Sequence, residues 1–420
     1  MKKLFFALAA MGLFAACTPT PNGGNEGNGD NNGDDNTPVV TNHTFAIEVT
    51  ATACKADVVV TPETGFTGYY YDNVVSAAKY AELGGTDNAF LAAYIEERTA
   101  RFESLGYTWL DVVLDADQVD EWTAEGLDPE TDYFVVAFGV DKNGQATTGL
   151  SKKAFTTGVA KGYDGWFGTF TASTPSSFNM YFDSGLEDLV QEVVNTPKSQ
   201  PVYIQDAAAL LEDPQYAGYA FVWNLTSSFW ASTVEGGLAQ WDSIYTVAEF
   251  NADGELQIMN GDVYTSYQDN AGENVNVTWA SFCAITGSTA SLNLVNGTYA
   301  AHTFAPAVDG VSTSVPYKGS LSGGGSFEVV VYDLFPIWES GQYSFYVEED
   351  APTYFFYGPI TLTKTSDEVV VLEKPADPEE GTEPTAVLSA KGKAKAKATL
   401  DKIIASKKNS KSVMQAKNRF

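Results

Sequence analysis

Short segments that alternate apolar and polar residues recur along the chain, and this period of two constrains the fold more than any other feature. The segment TFAIEVTA (44–51) is typical, because its large apolar side chains are two residues apart, as in a strand with one buried face. Turn-forming residues separate such segments, for example NADG at 251–254 and GGG at 323–325. The pattern therefore predicts a mainly β protein built from antiparallel sheets.

The most specific motif lies near the end of the first series of strands. In LDPETDYFVVAFGVDKNG, Leu127, Pro129, Thr131 and Tyr133 have the spacing L-x-P-x-T-x-Y, and an Asn-Gly hairpin turn follows. This motif resembles the start of strand F in fibronectin type III domains. The resemblance implies a β-sandwich over residues 43–158 in which the Tyr133 hydroxyl bonds back to the backbone of the preceding turn.

One part of this first domain departs from the alternating pattern. Between residues 86 and 106 the large apolar side chains fall near one face of a helix, which Thr86 or Asp87 can cap and Gly106 can end. We expect a helical insert between the middle strands, because long insertions in surface loops cost little free energy.

A second domain is predicted over residues 163–372, as an antiparallel β-sandwich or barrel of about eight to ten strands. VNVTWASFCAI (275–285) and TYFFYGPITLTK (353–364) are each predicted to be one strand. Two other segments, LEDLVQEVV (186–194) and DAAALLED (206–213), are predicted to be helices.

The N-terminus has the pattern of a secretory signal peptide over residues 1–16, with a basic start, eleven apolar residues and small residues before Cys17. The apolar stretch is shorter than the roughly 20 residues that cross a bilayer. FAAC (14–17) resembles the lipobox of bacterial lipoproteins, which implies cleavage before Cys17 and acylation of that cysteine. The alternative is an ordinary secretory signal with an incidental cysteine.

Residues 17–42 follow as the lipidated cysteine and a tether rich in Asn, Gly, Asp and Pro, which cannot bury enough apolar surface to fold. The lipobox, the tether, the fibronectin-like domain and the β segment GTFT (168–171) together resemble cell-envelope lipoproteins of the Bacteroidetes type. This resemblance implies attachment to the outer membrane through Cys17, facing either the periplasm or the cell surface.

Charge is distributed unevenly along the chain. The net charge is −30, yet the last thirty residues hold ten Lys or Arg and one Asp, so the other 390 residues carry −39. A body this acidic repels nucleic acid, and no specific nucleic-acid binding is expected. Residues 373–420 are predicted to be an acidic spacer and a basic tail. This tail is either solvated and disordered, or a basic helix that contacts anionic lipid or the acidic body.

Few residues suit catalysis. The two histidines, His43 and His302, lack metal-ligand spacing, and no Cys-x-x-Cys occurs, so neither a metal site nor a cofactor is predicted. Cys54 and Cys283 fall in different predicted domains and are expected to be small buried apolar residues. Glycoside hydrolases need only two carboxylates roughly 5–10 Å apart, which sequence spacing does not reveal. A hydrolase that uses a carboxylate pair in the second domain is therefore an alternative function.

Aromatic residues are the remaining candidates for ligand contact. Trp223, Trp230 and Trp338 lie in strands or near turns of the second domain, where they either stack on sugar rings or fill the core. Asp242-Ser243-Ile244 resembles the O-glycosylation sequon of Bacteroidetes secreted proteins, which makes Ser243 a candidate glycosylation site.

The sequence therefore favours a lipoprotein that acts as a non-catalytic binding module for a glycan or a protein partner. The secreted hydrolase and a structural component of the cell envelope are the alternatives.

Overall fold

The computed structural model describes most of the chain. The described residues are 3–4, 41–225, 245–261, 263–268, 274–278, 280–286, 293–295, 298–321, 325–334, 337–339, 342–346, 349–368, 393–394 and 396–405. They form two compact units, residues 41–161 and residues 162–405. A two-residue strand, β1 (Lys3–Leu4), belongs to the second unit.

The first unit contains two antiparallel sheets. Its strands are β2 (Phe45–Ala51), β3 (Lys55–Pro62), β4 (Tyr69–Ser76), β5 (Leu114–Asp115), β6 (Asp120–Glu125), β7 (Asp132–Val140) and β8 (Ser151–Thr156). One sheet has the order β2-β3-β6 and the other has the order β5-β4-β7-β8. The sequence-based expectation of a mainly β, antiparallel protein is therefore confirmed for this unit.

Two helices lie between β4 and β5. They are α1 (Ala77–Glu82), which the Ser76 side chain caps, and α2 (Asp87–Leu105). Gly106 ends α2 with a φ of 78°, a left-handed conformation that glycine adopts without a steric penalty.

The four-stranded sheet of the first unit is buried on both faces. On one face, Val135 and Tyr70 pack against Val58 and Val60 of the three-stranded sheet. The other face is covered by the aromatic side chains of α2 and the loop after it. Strand β7 is accordingly apolar along most of its length and does not show clean alternation.

The second unit is also mainly β. In chain order its further strands are β9 (Gly168–Thr174), β10 (Ser177–Asp183), β11 (Asp188–Val194), β12 (Lys198–Asp206), β13 (Tyr219–Trp223), β14 (Tyr245–Phe250), β15 (Leu256–Asn260), β16 (Val263–Gln268), β17 (Asn274–Thr278), β18 (Ala280–Ile285), β19 (Asn293–Leu294), β20 (Tyr299–Phe304), β21 (Val311–Thr313), β22 (Val315–Pro316), β23 (Lys318–Ser320), β24 (Ser326–Leu334), β25 (Ile337–Glu339), β26 (Gln342–Tyr346), β27 (Thr353–Tyr357) and β28 (Thr361–Ser366).

These strands form three antiparallel sheets. The largest has the order β21-β28-β9-β12-β13-β14-β15-β20-β22, and a second has the order β11-β10-β27-β24-β18-β19 with β23 beside β24. The third has the order β1-β26-β25-β17-β16. The nine-stranded sheet is nearly closed, because its two edge strands, β21 and β22, are consecutive in the chain with only Ser314 between them. A barrel-like sheet was one of the two predicted architectures.

Two glycines with positive φ lie at strand ends in this unit. At Gly168 of β9, φ is 135°, and a Cβ would lie 2.3 Å from the Ser366 carbonyl oxygen on β28. A second glycine, Gly358 with φ 77°, stands at the corner between β27 and β28. The run TYFFYGPITLTK is therefore two strands in different sheets rather than the single strand predicted. The run VNVTWASFCAI also divides, into β17 and β18 of different sheets.

Two predicted helices have different outcomes. The one at 206–213 is present as α3 (Ala207–Leu211), capped by the Asp206 side chain. The one at 186–194 is wrong, because Asp188–Val194 is strand β11, paired along its whole length with β10. The hairpin turn between β10 and β11 favours this pairing, since the Asp183 carboxylate accepts hydrogen bonds from the Gly185 and Leu186 backbone N–H groups. Valine-rich β11 then suits a strand.

The described residues nearest the C-terminus are helical. Residues 393–394 and 396–405 have helical backbone, and we call the segment 396–405 α4. Within the part of the chain that the structure describes, no helix has the length and apolar character needed to cross a bilayer.

Candidate functional site

Several candidate residues lie outside the described part of the chain. Cys17, Trp230 and Ser243 are among them. For Trp338 only the backbone is described, and it pairs with Asn276 on β17 and Tyr343 on β26.

Trp223 is placed in the core of the second unit. Its side chain is 1% exposed, and its ring centroid lies 5.3 Å from that of Tyr245 and 6.1 Å from that of Phe221. A ligand in solvent cannot stack on a ring enclosed in this way. Trp223 is therefore a core residue, and the prediction that it stacks on a ligand is withdrawn.

Helix α4 packs on the same aromatic cluster. Ala396 and Leu400 are fully buried, and Ile403 is 3% exposed, all in the core that contains Phe221, Trp223 and Tyr245. The three apolar positions are four and three residues apart, so they form one stripe along the helix. The apolar face of α4 is therefore buried in protein, and it is not available to lipid in this arrangement.

Polar contacts lie around this buried apolar stripe. Lys393 Nζ lies 3.3 Å from Glu212 Oε1, and Lys397 Nζ lies 3.1 Å from Asp213 Oδ2. The Gln215 backbone N–H and then Lys397 hold the pKa of Asp213 below its usual value. Solvent screens both of these ion pairs, so burial of the apolar stripe contributes more to the stability of this contact.

A further hydrogen bond joins the tail to the same rim. The Tyr216 hydroxyl donates to Asp401 Oδ1 at 2.8 Å. Burial, followed by the nearby Asp401 carboxylate, raises the pKa of Tyr216. The sequence shows opposite charges in the tail and the body, but it does not show that Glu212 and Asp213 meet the tail.

His302 is buried in the second unit and is 1% exposed. The Ile360 backbone N–H donates to Ser314 Oγ at 2.8 Å, and Ser314 Oγ lies 2.9 Å from His302 Nδ1. Burial disfavours the charged imidazolium, so the imidazole is neutral at neutral pH. Burial lowers the pKa of His302 to about 3. This histidine is structural, because a general base must reach its substrate.

The two described cysteines are also structural. Cys54 and Cys283 are buried in separate units and form no disulfide with each other, as the sequence predicts. Burial raises the pKa of Cys283 to about 11, so this thiol is protonated and weakly nucleophilic at neutral pH.

The first unit contains a surface cluster that sequence spacing does not reveal. Lys152 Nζ lies 2.5 Å from Asp87 Oδ1, and the Tyr80 hydroxyl donates to the same oxygen at 2.5 Å. Hydrogen bonds from Lys152 and then Tyr80 lower the pKa of Asp87. The cluster joins β8 to the start of α2, and we assign it a structural role.

Metal ligands are not grouped in the residues that the structure describes, where no set of three or more His, Cys, Asp or Glu side chains is close enough to hold an ion. Comparison with known protein families finds no match, and comparison with curated proteins finds none either.

Proposed function

We propose that this protein is a lipoprotein of the bacterial outer membrane that holds a non-catalytic binding module at the membrane surface, facing the periplasm or the cell exterior. The sequence Ala15-Ala16-Cys17, directly after the eleven apolar residues 4–14, is the observation that carries the proposal. Two or three acyl chains on one cysteine, at about 0.8 kcal/mol per buried methylene, anchor a protein stably.

The segment after the cysteine supports display away from the bilayer. Residues 18–42 are dominated by Asn, Gly, Asp, Thr and Pro. A flexible chain of this length has a typical end-to-end distance of roughly 25–30 Å. A tether of that length lets the folded units meet a ligand near the membrane without fixing their orientation, which suits binding of a glycan or a protein partner.

We further propose that the first unit is fibronectin type III-like, with α1 and α2 as an insert between its third and fourth strands. The sheet orders β2-β3-β6 and β5-β4-β7-β8 support this, because they match the three-plus-four arrangement of that sandwich. The hydrogen bond in which the Asp128 backbone N–H donates to the Tyr133 hydroxyl at 2.9 Å supports it too.

Replacing Tyr133 with Phe tests this part of the proposal. We expect the free energy of unfolding of the first unit to fall by about 1 kcal/mol, because the Asp128 N–H loses its acceptor. Urea denaturation measures the change, and Tyr69→Phe in the same unit is the control. Equal stability of the two variants would remove the turn hydrogen bond as support for the fibronectin-like assignment.

Fractionation of cells that express Cys17→Ser tests the anchor. The unchanged protein is expected in the membrane fraction, from which detergent and not high salt releases it. The Cys17→Ser protein is expected to lose its lipid and to leave the outer membrane, whereas Cys54→Ser should fractionate like the unchanged protein. Outer-membrane localisation of Cys17→Ser would contradict the proposal.

A further inference from the structure

Three side chains of the second unit form one row across strands β11, β10 and β27. Asn179 on β10 is directly opposite Glu192 on β11, and it is also directly opposite Tyr354 on β27. Directly opposite residues of antiparallel strands point to the same face of the sheet, with neighbouring Cβ atoms about 5 Å apart. The three side chains therefore stand side by side, and we call them the Tyr354 row.

The middle residue of the Tyr354 row carries an unused hydrogen-bond acceptor. Asn179 is 3% exposed, and its Nδ2 donates to Glu192 Oε1 at 3.2 Å. Among the residues that the structure describes, none donates a hydrogen bond to Asn179 Oδ1. An unpaired buried acceptor lowers the stability of the folded chain until a donor reaches it. The unused oxygen therefore points to a ligand that brings such a donor.

Glu192 fixes the orientation of the Asn179 amide. An ionised carboxylate accepts hydrogen bonds and donates none, so the amide nitrogen rather than the amide oxygen must face it. Asn179 Oδ1 therefore points away from Glu192, and the unused atom of the amide is an acceptor. Glu192 is an acceptor too, and it is exposed. A ligand of the Tyr354 row must consequently bring more than one hydrogen-bond donor.

Tyr354 adds an exposed aromatic ring beside these acceptors. Its side chain is 43% exposed, whereas Phe355 and Phe356, the next two residues of β27, are buried. Exposed side chains change rotamer on a timescale of picoseconds to nanoseconds. Tyr354 and Glu192 can therefore turn aside and admit a ligand to Asn179 Oδ1, because both flank that residue and neither is held in the core.

A hexose has the groups that the Tyr354 row lacks. Its hydroxyls donate hydrogen bonds to carboxylate and amide oxygens. The C–H groups on one side of its ring offer an apolar surface to the face of an aromatic ring. Tyr354 and Glu192 are two strand spacings apart, or about 10 Å. One hexose with its hydroxyls bridges that span and covers Asn179 between them.

Charge separates a sugar from a cation, which would also donate to two acceptors and stack on an aromatic ring. Lys198 Nζ lies 4.9 Å from the centre of the ring of Phe356, the next residue on this face of β27. Lys198 and Glu192 thus bring one charge of each sign. The further acids of this face, Asp183 and Asp188, pair at the end of the hairpin, about 14 Å along the strands, where salt screens them.

We infer that the Tyr354 row binds a neutral hexose unit of a glycan. The sugar ring stacks on Tyr354, and its hydroxyls donate to Asn179 Oδ1 and to the Glu192 carboxylate. This inference rests on the proposed binding function and names its ligand class and its site. The sequence analysis missed Tyr354, because it considered only tryptophans as stacking residues of the second domain.

The experiment uses the full-length protein in detergent, applied to immobilised starch, a mixed-linkage β-glucan and a mannan as neutral glycans, and to polygalacturonate as an acidic probe. We expect retention on at least one neutral glycan and none on polygalacturonate. Soluble oligosaccharides of the retained glycan should elute the protein, whereas arginine ethyl ester at the same concentration, as a cationic probe, should not.

Variants of the Tyr354 row test the site. Tyr354→Ala removes the aromatic ring and is expected to bind the retained glycan at least tenfold more weakly, whereas Tyr354→Phe keeps the ring and should keep at least half of the affinity. Glu192→Ala removes an acceptor and should also weaken binding at least tenfold. The control is Tyr107→Ala, at a tyrosine of the first unit that is 39% exposed, and it should bind like the unchanged protein.

Melting temperature is measured for each variant, so that loss of fold is not read as loss of binding. Glu192→Ala carries the test if Tyr354→Ala lowers the melting temperature. Glycan binding that neither variant changes would overturn the site and leave the proposed function standing. Retention on polygalacturonate alone, retention on no glycan, or elution by the arginine ester and not by oligosaccharides would overturn the ligand class.

Discussion

Replacing Leu400 with Asp is expected to lower the free energy of unfolding of the second unit by at least 3 kcal/mol, on the order expected for buried core positions. Leu400 is fully buried in the core that also contains Trp223 and Tyr245. The substitution removes a large apolar side chain and places a carboxylate where it has no solvent. Urea denaturation followed by tryptophan fluorescence measures the effect.

A matched control lies two residues further along α4. Lys402 is exposed, so Lys402→Asp should change the stability by about 0.5 kcal/mol or less. Hydrogen exchange measures the same contact locally. Loss of α4 packing should increase the exchange rate of the backbone amides in β13 and β14 before that of the rest of the unit. If Leu400→Asp and Lys402→Asp have the same stability as the unchanged protein, α4 is not part of this core.

Lowering the pH from 7 to 5 is expected to cost the second unit about 2 kcal/mol through His302, since one pKa unit corresponds to about 1.4 kcal/mol. Burial lowers the pKa of His302 to about 3 in the folded protein, against about 6.5 in the unfolded chain. Between these values the unfolded state binds a proton that the folded state does not. Stability is therefore complete above about pH 6.5 and is lost progressively as the pH falls toward 3.

The His302 contribution is separable from that of the carboxylates. Asp213, whose pKa is lowered in the same unit, begins to affect stability only near and below its ordinary pKa of 3.8. The His302→Gln protein should therefore show a flatter stability profile between pH 6.5 and 5 than the unchanged protein. His43→Gln, at the other histidine, should keep the original slope for the second unit. A slope that His302→Gln does not alter would contradict the buried neutral imidazole.

Local pattern predicts much of the secondary structure. Alternation at Phe45, Ile47 and Val49 corresponds to strand β2, and Asp206 caps α3 as its residue type suggests. Local pattern fails at Asp188–Val194, where apolar spacing fits a helix equally well. Pairing with β10 decides that segment, and pairing is a tertiary contact that spacing does not encode.

The division of the second unit into sheets could not be predicted. Phe356 and Leu362 lie in one apolar run, yet Gly358 turns the chain between them and sends β27 and β28 to different sheets. A glycine followed by proline is a turn signal, but the sequence does not say whether the strand resumes in the same sheet.

The candidate site was harder to predict than the fold. An exposed tryptophan and a core tryptophan have the same local sequence signal, so only the structure places Trp223 in the interior. Leu400, Ile403 and Ile404 in the basic tail fit an amphipathic helix, but the sequence does not distinguish lipid from protein as the partner of its apolar face.

The most direct test of the central claim is the intact mass of the protein isolated from the membrane, together with the mass of its N-terminal peptide. We expect a chain that begins at Cys17 and carries a diacylglycerol thioether, usually with a further acyl chain on the new amino group. Alkaline hydrolysis should remove the two ester-linked chains from this peptide. A chain that begins at another residue, or a Cys17 with a free thiol, would contradict the account of a lipid-anchored protein.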